Sequence, residues 1–116
     1  MRGGVRLQQV LAVVGRSPEK RLALFAWLNL GIIESLSSGL MRPSEAVRLF
    51  FNAENCLFVR KKLVVKTADK IMSHGVQLPD LFESLPPEEA HREFQRELST
   101  MRSLCLMLLE KGKLVA

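Results

Sequence analysis

The chain has no tyrosine and a single tryptophan, and aromatic residues make up only 6% of its 116 positions. Tyr and Trp are favoured where a surface grips a partner, so their scarcity argues against a broad, tight recognition patch. Cysteine and histidine are equally sparse, at two each. Cys56 and Cys105 form neither a disulfide framework nor a C-x-x-C pair, which removes the usual zinc and thiol-exchange signatures and suits a reducing compartment. His74 and His91 alone leave little for a triad or a multi-histidine metal site. No H-E-x-x-H, P-loop, G-x-G-x-x-G or G-x-S-x-G pattern occurs, and the Gly3-Gly4 pair is too isolated to cradle a phosphate. The expectation is a protein that is not an enzyme and takes no cofactor or metal.

Long hydrophobic runs are also missing. The longest, inside Leu22 to Ile33, is too short to span a bilayer and carries Asn29, so no membrane is expected. Arg2 and Arg6 ahead of Leu7 to Val14 faintly resemble a secretion signal, but Gln8 and Gln9 interrupt it and no A-x-A site follows. The chain therefore reads as cytoplasmic. At 13.1 kDa, with 47% hydrophobic and 25% charged residues, it reads as one globular domain over residues 1–116, with 1–4 a frayed start. The net charge of +5 permits attraction to nucleic acid without requiring it.

What is present is organised around Ser17 to Gly39. Ser17 can cap a helix, Pro18 suits its first position, Glu19 complements the dipole and Gly39 supplies a left-handed stop. At 100° per residue, Leu22, Phe25, Ala26, Ile32, Ile33 and Leu36 share one face, while Leu24, Trp27, Leu28 and Gly31 fall almost opposite. A helix apolar on both sides has to be covered from two directions, by this chain or by a second copy. Pro18 to Ser38 is accordingly read as the buried central helix of a compact, single-domain, all-α bundle of about five helices.

Ahead of it, Leu7, Val10, Leu11 and Val14 recur at helical spacing, and Gly15-Arg16 makes a break. After it, Pro43 and Glu45 open a second helix, whose short connection implies that it folds back on the first. From Ala53 to His74 three readings stay open: one helix, two helices broken near Lys61 to Leu63, or a hairpin turning at Arg60-Lys61-Lys62. The broken helix is preferred, because a lone hairpin would have no sheet to join. Gly75 reads as a helix stop with His74 beside it, and Leu78-Pro79-Asp80 as the start of a short helix that Pro86-Pro87 ends. Pro87, Glu88 and Glu89 then begin the last helix. Ala90, Phe94, Leu98, Met101, Leu104, Cys105 and Leu108 align along it, with Arg92, Arg96, Ser99 and Ser103 pointing away and Lys111-Gly112 as its stop. Near that end Leu106, Met107 and Leu109 wrap the apolar surface round most of the circumference.

The run Leu30-Gly31-Ile32-Ile33-Glu34-Ser35-Leu36, then Gly39-Leu40, Glu45-Ala46, Phe50-Phe51, Gly75 and Leu81 to Leu85, resembles the core pattern of a small, functionally uncharacterised bacterial family of all-helical proteins. The resemblance implies a bacterial, soluble, all-helical protein and carries no activity. This chain departs from that pattern in being basic at Arg60 to Lys70.

Residues able to carry chemistry read more plainly as structural. His74 reads as a cap at a helix end, His91 as solvated, and Cys56 and Cys105 as small buried hydrophobes. Glu88, Glu89, Glu93 and Glu97, interleaved with Arg92 and Arg96, suit surface charge pairs. Asn29, on the main apolar face, either fixes register against another helix or bonds a neighbouring carbonyl. The functional expectation is a non-enzymatic helical interaction module that forms a homodimer, or binds another protein, through Leu24, Trp27, Leu28, Gly31, Leu106, Met107 and Leu109. The alternative is a nucleic-acid-binding regulator using Arg60, Lys62, Lys66 and Lys70. On an unbroken helix the three lysines would line one side and follow phosphates, although the stretch offers few side chains for base edges.

Overall fold

The computed structural model describes residues 4–115, and the side chains of 112–115 lie outside that description, as do Met1 to Gly3, on which most of the expected frayed start falls. The chain forms α1 (Leu7–Leu11), extended by a 3-10 turn over Ala12–Val14, then α2 (Pro18–Ser37), α3 (Pro43–Leu49) and α4 (Ala53–Phe58). A π-helical turn over Val59–Leu63 follows, then α5 (Lys66–Ser84) and α6 (Pro87–Val115). There is no strand among the described residues. The architecture is the expected all-α bundle, with the long α6 packed against both α2 and α5.

Local chemistry sets the ends of α2. The Ser17 hydroxyl accepts from the Lys20 amide at 3.3 Å, Pro18 opens the helix, and Gly39 turns left-handed at φ 77°. The Leu40 amide then returns to the Ser35 carbonyl at 2.8 Å, satisfying an orphan acceptor of the last turn. The inner face of α2 buries Phe25, Ala26, Asn29, Ile33 and Leu36. Asn29 takes the local option: its Nδ2 donates to the Phe25 carbonyl at 2.9 Å, and its buried Oδ1 has no partner. The outer face is not covered by the chain, since Trp27 and Gly31 lie in the open.

Pro43 begins α3 as expected, with the Glu45 carboxylate accepting from the Arg42 amide at 2.9 Å, a bond that holds the Glu45 carboxyl below its ordinary range. This short helix lies chiefly against α5, rather than folding back on α2. Phe50 and Phe51, in the link to α4, turn inward and meet edge to face at 5.2 Å. Asn52 caps α4 through Oδ1, and buried Asn55 ties α4 to the N-terminal segment. Its Oδ1 accepts from the Leu7 amide at 3.1 Å, while its Nδ2 donates to the carbonyls of Val5 and Phe50, both at 2.9 Å. Both donors of that amide and one of its two acceptor positions are used, so a buried polar group costs little there.

The stretch from Ala53 resolves as two helices with a break. The Val64 amide bonds the Val59 carbonyl at 3.1 Å, closing the π turn, and Val64 then adopts the left-handed conformation at φ 52°. That residue stops the helix, and the helical conformation on both sides of it, with no strand among the described residues, rules out the hairpin.

Three boundary expectations are corrected. Gly75 is not a stop, because α5 passes through it and through Pro79 to Ser84. The apolar stripe Ala68, Ile71, Met72, Gly75 and Leu78 continues across the expected break and is buried along its length. A Cβ at residue 75 would fall inside the Phe51 ring, so this glycine is there to let α5 lie directly on that ring. Pro79 withholds the amide that would bond the Gly75 carbonyl, a local cost that the packing of Leu78 and Leu81 outweighs. The short helix expected to start at Leu78 is therefore the end of α5. Likewise α6 runs past Gly112 to Val115.

Candidate functional site

The antiparallel pair α2 and α6 frames the outer surface. Ser37 meets Gln95 at 3.5 Å, and Glu34 meets Arg102 at 3.7 Å, so the chain direction reverses between them. Two turns before Glu34 on the same side stands Trp27, and one and two turns beyond Arg102 stand Leu106 and Leu109. The register thus brings the tryptophan to the C-terminal half of α6. Trp27 is 58% exposed, Leu106 48% and Met107 54%. Gly31 is exposed, with open space where a side chain would begin. Leu24, Leu28 and Leu109 are half-buried, each packed partly against the core. Of the seven residues expected to associate, four are therefore open and three are shared with the chain's own interior. Met107 stands one helical step, about 100°, round from Leu106, and with Thr67 of α5 and Lys111 lines a shallow hollow of about 430 Å³.

The basic set fares differently. Lys62 lies in the π turn, whereas Lys66 and Lys70 belong to the start of α5, and the left-handed Val64 with extended Val65 intervenes. An unbroken row of Lys62, Lys66 and Lys70 does not form. Arg60 instead reaches Asp69 at 3.8 Å. All four cations are exposed, but they belong to two separate elements.

His74 is not at a helix end. It lies mid-way along α5, and its Nδ1 stands 2.6 Å from Glu97 Oε1 of α6, a bond between packed helices that the misplaced Gly75 stop concealed. His91 is exposed near Phe94. Glu93 pairs with Arg96 at 3.6 Å, as expected of the surface carboxylates. Burial pushes the Cys105 thiol up to about 12, and it raises the half-buried Cys56 thiol less, with Arg60 pulling back. Both are poor nucleophiles in these settings. Among the described residues no group of three or more His, Cys, Asp or Glu could hold a metal ion. Among the described residues no helix is long and apolar enough to cross a membrane.

One feature had no signal in the sequence. A cleft of about 710 Å³ opens between α3, α4 and α5, with Phe51, Cys56 and Met72 in its wall and Arg48, Arg60 and Asp69 among its polar lining. Its residues come from three helices, the link before α4 and the π turn, whose mutual placement no periodicity encodes. Neither His74 nor Glu97 lines it.

The fold and surface together define a small all-α protein with an open apolar face on α2. The chain belongs to the family described as "Protein of unknown function (DUF3969)", which matches residues 18–115. No curated protein and no solved structure gives a match.

Proposed function

We propose that the chain is a non-catalytic helical interaction module of the bacterial cytoplasm that self-associates through the outer face of α2 and the adjoining part of α6. The observation that carries this reading is Trp27, the only tryptophan, standing 58% exposed in the middle of the helix whose other face anchors the core. Covering it would remove roughly 150 Å² from water, a gross gain of about 3–4 kcal/mol before the costs of association. Gly31, one turn on, leaves room for a close approach from outside. The two unpaired thiols suit a reducing compartment.

Sedimentation over a wide concentration range tests the reading. The native chain is expected to move from a 13.1 kDa species towards twice that mass, with Trp27 emission shifting to shorter wavelength as it is covered. Trp27→Glu is expected to weaken association about 10- to 100-fold while leaving the melting temperature nearly unchanged, because the side chain lies outside the core. A native chain that stays at its monomer mass at the highest attainable concentration would defeat the reading.

A further inference from the structure

The outer face of α2 is built from Lys20, Leu24, Trp27, Gly31 and Glu34, spaced by four, three, four and three residues. That alternation is the repeat of a coiled-coil seam, and it keeps all five on one side of the helix. The ends of the stripe lie symmetrically about Trp27 and are opposite in charge, with Lys20 seven residues before the tryptophan and Glu34 seven after, while Leu24, three before, and Gly31, four after, match to within one residue. Both charged residues are exposed, Glu34 with 70% of its side chain open to solvent.

We propose that two copies meet by antiparallel pairing of their α2 helices about a two-fold axis beside Trp27 and Leu28, with Lys20 of each copy level with Glu34 of the other. This rests on the self-association reading and adds its geometry. A two-fold contact is self-complementary, so each residue meets the counterpart its own copy also supplies. In the antiparallel sense Leu24 comes within one residue, about 1.5 Å along the helix, of the partner's Gly31, where open space awaits a side chain, and the two tryptophans meet beside the axis. In the parallel sense Lys20 would face Lys20 and Glu34 would face Glu34, so the charges select one orientation. Arg102 lies 3.7 Å from Glu34 and borders the same end of the stripe, so Glu34 receives cations from both copies. Such rim pairs add little affinity, but they decide which way round two apolar stripes dock.

Charge exchange tests the pairing. Lys20→Glu and Glu34→Lys are each expected to weaken self-association about tenfold, since each turns two attractive contacts into two repulsive ones, and the loss shrinks at high salt. Mixing the two variants in equal amounts restores attraction in the heterodimer alone, which should form with near-native affinity. The double variant Lys20→Glu/Glu34→Lys should likewise recover to within about threefold of the native chain. Thermal melts of each variant confirm that the monomer is folded. Recovery in the mixture and in the double variant supports the antiparallel arrangement. A native chain that dimerises while neither recovers overturns the arrangement and leaves self-association standing. A native chain that remains monomeric removes both.

Discussion

Gly31 and Gly75 are both interior residues of long helices, and their surroundings are opposite. Gly31 faces open space on the outside of α2, whereas Gly75 is buried on the inside of α5 with the Phe51 ring where its side chain would be. In the chain alone the first is a helix-weakening residue with no internal compensation, and the second is required by a contact already made. The pair separates two reasons for placing glycine in a helix: to admit a neighbour that is already there, and to leave room for one that comes from elsewhere.

The largest expected effect tests the inner glycine. Gly75→Ala should cost about 2–3 kcal/mol in chemical denaturation despite the better helix propensity of alanine, because the buried Phe51 ring, itself held edge-on by Phe50, has nowhere to move. Adding Phe51→Leu should recover part of that loss, and a strictly additive double variant would show that the two positions are not in contact. At the outer glycine the sign reverses. Gly31→Ala should stabilise the monomer by about 0.8–1 kcal/mol, while filling the space reserved for an incoming side chain and so weakening self-association. A variant that gains stability without losing association would detach Gly31 from the interface.

A smaller effect belongs to the break between α4 and α5. Val64 is β-branched, exposed and left-handed, so Val64→Gly should relieve strain and raise stability by about 0.5–1 kcal/mol. An unchanged or lower melting temperature would mean that the valine side chain makes a compensating contact. The least effect on stability near neutral pH, and the clearest on reactivity, concerns the thiols. With the Cys105 thiol pushed up to about 12, its thiolate fraction at pH 8 falls by about three orders of magnitude. Alkylation should therefore label Cys56 first and Cys105 only with unfolding. The unfolded thiol loses its proton near pH 9 and the folded one does not, so this contribution is full below pH 9 and declines from there towards 12. Cys105→Ala should flatten that decline.

Much of the fold was legible because its signals act within a few residues. The Ser17 cap, the Pro18, Pro43 and Pro87 starts and the Gly39 turn each depend on bonds spanning about one turn. The buried line from Ala90 to Leu108 depends only on helical period. Of the candidate surface, the sequence revealed that Leu24, Trp27, Leu28 and Gly31 form a second apolar face, but not that α6 approaches it with Leu106 and Leu109 while leaving Trp27 open. Gly75 reads as a stop in sequence because that local meaning is the commoner one, and the residue that cancels it lies 24 positions earlier at Phe51.

Signals between near neighbours are enough to establish that this chain is helical, where most helices begin, and which residues each helix must hide, since propensity, capping and periodicity are all local properties. Packing between distant segments settles that α5 runs unbroken past Gly75 and Pro79, that His74 bonds Glu97, that the lysines divide between two elements and that Trp27 faces outward. Those outcomes depend on which side chains from distant segments occupy the same space, and burial there outweighs the smaller preferences of the local backbone.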